Sequence, residues 1–125
     1  MFAETKAFSS FAVDDLAKAR EFYEGTLGLN VSSPMEEMLL SLDHAGDRPT
    51  MIYLKPDFVP ATYTVLNFEV SDLEAAVDEL AGRGVELERY EGLEQDEKGI
   101  ARGAGGPPIA WFKDPAGNIL SVLTP

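Results

Sequence analysis

Phe11-Ala12-Val13-Asp14-Asp15-Leu16-Ala17-Lys18-Ala19 and Phe68-Glu69-Val70-Ser71-Asp72-Leu73-Glu74-Ala75-Ala76 decide the fold, because they say nearly the same thing. Phe, Val, Asp, Leu and Ala recur at a constant offset of 57 residues, and Gly25 and Gly82 keep it. Gly28-Leu29 and Gly84-Val85 follow at 56, so one residue is lost after the helix. Each stretch reads as a strand running into a helix cap. Two similar units in a short chain predict a pseudo-symmetric fold with equivalent positions in each half.

Working outward, residues 6–13 predict a strand, with Asp14 or Asp15 capping a helix. Leu16, Ala19, Tyr23 and Leu27 form its apolar stripe, and Gly28 stops it. Strands are expected over 29–33, 37–43 and 50–55. Pro56 to Pro60 is the expected seam between a first module of about 5–56 and a second of about 61–125. In the second module Thr62 to Val70 reads as a strand, and Ser71 with Glu74 matches a capping box. Leu73, Ala76, Val77 and Leu80 supply the helix stripe. Strands are expected near 85–91, 108–113 and 118–123. Asp114-Pro115-Ala116-Gly117-Asn118 reads as the hairpin turn between the last two. The stretch from Gly92 to Pro108 is expected to be a mobile loop. The fold class is thus α+β: one domain over 1–125, made of two tandem βαβββ modules with mixed sheets.

Composition narrows the function. The 125 residues are 45% hydrophobic and 10% aromatic, a globular balance. No apolar run is long enough to cross a bilayer. The N-terminus reads as no signal peptide, which implies a cytoplasmic protein. With no cysteine, disulfides, thiol catalysis and zinc–thiolate sites are excluded. The net charge of −12 repels nucleic acid and anionic membranes. Residues 69–97 alone carry 11 acids against Arg83 and Arg89. This is a solvated face in the simplest reading, and an attraction for a cationic ligand in the functional one.

Strand alternation assigns faces. Leu66, Phe68 and Val70 point to the helix, and Val65, Asn67 and Glu69 point away. Phe11 and Val13 belong to the core, whereas Phe8, Ser10 and Ala12 point away. Two such sheets, cupped around their non-helical faces, would enclose a cleft.

The whole pattern resembles the glyoxalase / bleomycin-resistance / extradiol-dioxygenase superfamily, also called vicinal oxygen chelate (VOC) proteins. The resemblance rests on Phe11 to Leu16, Ala19, Phe22-Tyr23, Leu27-Gly28-Leu29, and the closing run Trp111-Phe112-Lys113-Asp114-Pro115-Ala116-Gly117-Asn118. It implies paired βαβββ modules, a homodimer, and in many members a divalent metal held by His, Glu or Gln. Carried over one at a time, the four ligand positions fall on Phe8, Tyr53, Val65 and Ser121. None is a usual ligand, and their immediate neighbours add no carboxylate or imidazole. The expectation is therefore no cofactor and no metal.

The remaining candidates are weaker. His44, the only histidine, reads as an exposed turn residue. Gly103-Ala104-Gly105-Gly106 lacks the Lys-Ser/Thr and the helix of a phosphate loop. Arg102 beside it could meet an anionic ligand group. Glu69 could anchor a cation or act as a base if burial raised its pKa. Trp111 could stack on a planar ligand or pack in the core.

The resulting expectation is a metal-independent small-molecule-binding protein, with antibiotic sequestration as one form. Its site would be lined by Phe8, Ser10, Tyr53, Val65, Asn67, Trp111 and Ser121, with Arg102 nearby, for a cationic or aromatic ligand. The alternative is a glyoxalase-like lyase, isomerase or dioxygenase with a displaced divalent-metal site drawn from Glu36, Glu37, His44 or Glu69. The sequence leaves the choice between binding and catalysis open.

Overall fold

A computed structural model describes every residue except Glu36, Asp47 and Ala104. The chain forms two compact units, Met1–Pro60 and Ala61–Pro125, in an α+β architecture.

In the first unit, β1 (Ser10–Val13) leads through the N-cap Asp15 into α1 (Leu16–Arg20). The Asp15 carboxylate accepts from the Lys18 amide at 3.0 Å, satisfying one of the helix's free N–H groups. The helix does not run unchanged to Gly28 as expected. It widens into a π-helical segment over Glu21–Thr26, where the Leu27 amide donates to the Phe22 carbonyl five residues back. Gly25, a weak helix former, lies in this wide turn. Gly28 then reverses the chain with φ of +74°, in the left-handed region that glycine adopts without strain.

The strands β2 (Asn30–Met35), β3 (Leu39–Asp43) and β4 (Thr50–Leu54) complete a four-stranded sheet of order β1-β4-β3-β2. The β1–β4 pair is parallel and the others are antiparallel. One extra residue enters β2 between Ser32 and Met35, where Pro34 has no N–H for the ladder. One sheet face carries Phe11, Val13, Val31, Leu40, Leu42 and Ile52, buried together with Ala19 and Tyr23. The Tyr23 ring has its neighbours in Phe11, at 6.1 Å between centroids, and Phe22, at 5.2 Å edge to face.

The second unit opens with β5 (Thr64–Glu69), shorter than the expected 62–70, followed by α2 (Leu73–Gly82). The cap of α2 is Asp72 and not Ser71: its carboxylate accepts from the Ala75 amide at 3.0 Å. Strands β6 (Ile109–Lys113) and β7 (Ile119–Leu123) form the hairpin. In its turn the Asp114 carboxylate accepts from the Ala116 and Asn118 amides and from the Asn118 side chain. The sheet order is β5-β7-β6, with β5–β7 parallel. Leu73, Val77, Val85, Ala110, Phe112, Leu120 and Val122 form its core.

Two expectations for this unit need correction. Residues 85–91 run beside β6 but form no strand, only a bridge from Leu87 to Phe112 and a bond from the Glu88 amide to the Trp111 carbonyl. The Gln95 side chain takes the backbone groups that a further ladder would use. Its carbonyl accepts from the Tyr90 amide at 2.8 Å, and its amide donates to the Glu88 carbonyl at 3.0 Å and the Gly99 carbonyl at 2.7 Å. Within 92–108, residues 95–101 are likewise built into the unit rather than loose. Asp96 accepts from the Lys98 and Ile100 amides at 2.9 Å, Ile100 and Ala101 are buried, and Ala101 bridges to Ile109.

Candidate functional site

Each sheet has one face turned from its helix, and the cross-strand registers show what that face carries. In the first unit Ser10 pairs with Met51, Ala12 with Tyr53, and Leu39 with Tyr53. Paired residues share a face, so Ser10 and Tyr53 lie on the same side, opposite Phe11 and Ile52. Tyr53 is 39% exposed. Phe8, two residues before β1, is 61% exposed.

In the second unit Asn67 pairs with Ser121, and Ser121 with Trp111. These three form one row across the sheet, opposite the row of Phe68, Val122 and Ala110. The next row on the same face is Glu69, Leu123 and Ile109. Ser121 is 0% exposed, and its hydroxyl donates to the Asn67 side-chain carbonyl. Asn67 itself is exposed. Val65 falls at the irregularity between Thr64 and Leu66, where β5 carries one extra residue against β7.

Trp111 is half-buried, and Tyr90 meets it at 5.5 Å between centroids and 78° between planes. Tyr90 was not singled out in the sequence, although alternation from the Leu87–Phe112 bridge puts Glu88 and Tyr90 on the face of Trp111. The Tyr90 hydroxyl is buried with no hydrogen-bond partner among the described residues. Burial, and then the Glu88 carboxylate, push its phenol above the ordinary range.

The other candidates are placed as follows. Arg102 is exposed and engaged by two carboxylates, Asp96 at 3.3 Å and Glu74 at 3.6 Å. Glu69 and Glu37 are exposed, and Glu36 lies outside the described residues. His44 is half-buried rather than an exposed turn residue. Its Nε2 lies 2.9 Å from the Thr50 hydroxyl and its Nδ1 3.1 Å from the Ala45 carbonyl. A carbonyl can only accept, so Nδ1 carries a proton, and the Thr50 hydroxyl, which can donate or accept, partners Nε2. The glycine run 103–106 includes Ala104, outside the described residues. A groove of about 730 Å³ runs along α2 and residues 85–89, lined by Val77, Ala81, Val85 and Leu87 among others. It holds none of the residues expected at the site.

The four positions carried over as metal ligands do not fit a divalent cation. Phe8 and Val65 have no donor atom. Tyr53 offers only a phenol oxygen, which is not among the carboxylate, imidazole and carbonyl donors that divalent cations take. The Ser121 hydroxyl is committed to Asn67. Among the described residues no group of three or more His, Asp or Glu is placed to hold a metal ion.

Several solved structures share this fold. TnmS3, an antibiotic binding protein from Streptomyces sp. CB03234, is 23% identical with a TM-score of 0.66, and the match covers 98% of each chain. A lactoylglutathione lyase from Agrobacterium tumefaciens is 20% identical at TM-score 0.66, with 98% of this chain and 95% of that one covered. A glyoxalase family protein from Enterococcus faecalis is 22% identical at TM-score 0.65, over 98% and 99%. No curated protein matches significantly. The family model for the Glyoxalase/Bleomycin resistance protein/Dioxygenase superfamily matches residues 7–122. With that match spanning both repeats, the chain belongs to the glyoxalase/bleomycin resistance protein/dioxygenase superfamily.

Proposed function

We propose that this chain is a metal-independent small-molecule-binding protein, working as a cytoplasmic homodimer, whose ligand is amphipathic and aromatic or cationic. The observation that carries this reading is the row of Asn67, Ser121 and Trp111. At Ser121, where metal-using relatives would need an anionic or imidazole donor, it offers a hydroxyl bonded to the neutral Asn67 amide, with the aromatic surface of Trp111 beside it. On the first sheet, taken by itself, Tyr53 and Ser10 give the face turned from the helix a similar aromatic and hydroxyl character. Apolar and aromatic lining with few polar groups suits a ligand held by burial and oriented by one or two hydrogen bonds. The likeness to an antibiotic binding protein supports the reading, and the net charge of −12 favours cations over anions.

Trp111 is the only tryptophan, so its fluorescence reports directly on the site. The test is a titration with basic and aromatic antibiotics, bleomycin included, read by that fluorescence and by thermal stability. The reading requires a saturable fluorescence change with a rise in Tm that grows with ligand concentration, since binding to the native state stabilises it. A flat response across the panel contradicts it.

A further inference from the structure

Ser121 occupies a place from which it cannot touch a ligand. It is 0% exposed, yet it stands between exposed Asn67 and half-buried Trp111 in the cross-strand row. A fully buried hydroxyl needs a partner, and this one finds it in the Asn67 side-chain carbonyl. That bond fixes which way the Asn67 amide points. With the amide reversed, the nitrogen would donate to the hydroxyl, and the buried hydroxyl proton would need another acceptor. None is among the hydrogen bonds of Ser121. In the observed orientation the Asn67 carbonyl is used from behind, and its NH₂ group makes no hydrogen bond among the described residues.

We infer that Ser121 is a positioning residue that presents the Asn67 NH₂ as a specificity-determining donor, for a planar ligand that carries a neutral hydrogen-bond acceptor and stacks on Trp111. This rests on the small-molecule reading above and narrows its ligand class. Two strand spacings separate Asn67 from Trp111, about 10 Å. The acceptor must therefore lie one or two ring widths from the stacked part of the ligand. The acceptor is neutral because Glu69, two residues along β5 on the same face, disfavours an anion there. The residue at a position where relatives hold metal thus acts here through its neighbour's amide.

The experiment compares 9-fluorenone with fluorene, planar molecules of one shape that differ by a carbonyl acceptor, using Trp111 fluorescence. The native protein should bind 9-fluorenone roughly two- to tenfold more tightly than fluorene, the range of one neutral hydrogen bond. Ser121→Ala should lower that ratio, and Ser121→Thr, which keeps the hydroxyl, should preserve it. Asn67 is exposed, so its variants test the idea even if the Ser121 variants misfold. Asn67→Asp still accepts from Ser121 but has no amide hydrogens, and its ratio should fall to about one or below. A native ratio of one, or a ratio unchanged in Asn67→Asp or in Ser121→Ala, overturns this inference and leaves the binding reading standing. Failure of both compounds to bind near their solubility limits overturns the two together.

Discussion

Asp15 and Asp72, 57 residues apart, cap their helices in the same way. Each carboxylate accepts from the amide three residues on, at 3.0 Å in both cases. The repeat therefore preserves a working hydrogen bond as well as a pattern of letters. Asp15→Ala and Asp72→Ala should each lower unfolding free energy by about 1 kcal/mol. Ser71→Ala should change it by no more than about 0.5 kcal/mol, since Ser71 is not the cap. Urea denaturation midpoints at constant m-value decide this. A larger loss at Ser71 than at Asp72 would restore the capping box suggested by Ser71 and Glu74.

The glycines of the repeat divide into two kinds. Gly28 and Gly84 have φ of +74° and +85°, whereas Gly25 and Gly82 have no positive φ and open space where a Cβ would stand. Gly28→Ala and Gly84→Ala should each cost about 1 kcal/mol or more from backbone strain. Gly25→Ala and Gly82→Ala should be neutral or stabilising by up to about 1 kcal/mol. Thermal melts of the four variants give the comparison, and equal losses in both pairs would contradict it.

Gln95 should matter more than its place in an acidic surface run suggests. Its side chain makes three bonds to the backbone of residues 88–99. Gln95→Ala should cost about 1–3 kcal/mol and speed amide exchange across that segment. Exchange unchanged at Tyr90 would contradict it.

Asp96 beside it should make stability fall in acid. Burial pushes its carboxyl up, but the Ile100 and Lys98 amides and the Arg102 guanidinium outweigh that and leave it below the ordinary range. A carboxyl held low in the folded state contributes fully above the unfolded value near ~4, and that contribution is lost as pH falls through the folded value. Asp96→Asn should therefore narrow its stability gap to the native protein as pH falls from about 5 to about 2. A constant gap in Tm over that range would contradict the assignment.

The legible parts of this chain are those fixed by local spacing. The 57-residue offset placed the two caps within a residue, and its shortening to 56 after the helix placed the two reversing glycines on their positions. Alternation put Asn67 and Glu69 opposite Leu66 and Phe68, as the β5–β7 pairing shows. The face of Trp111 was not legible, because it depends on the β6–β7 register set by the buried Asp114–Asn118 turn. Nor was the Asn67–Ser121 bond, made between residues 54 apart across a parallel pair. The π-helical segment leaves no mark in apolar spacing, since Leu16, Ala19 and Tyr23 fit an ordinary helix equally well. Residues 85–91 carry a strand pattern, but a side chain more distant in sequence, Gln95, takes their hydrogen bonds.

The central claim is that binding here proceeds without a divalent cation, because Phe8, Tyr53, Val65 and Ser121 cannot hold one. Its most direct test is the metal content of protein purified without chelator, measured by plasma mass spectrometry alongside ligand titrations before and after EDTA. The account predicts transition-metal content well below one per chain and the same affinity in both titrations. A stoichiometric metal whose removal abolishes binding would contradict it.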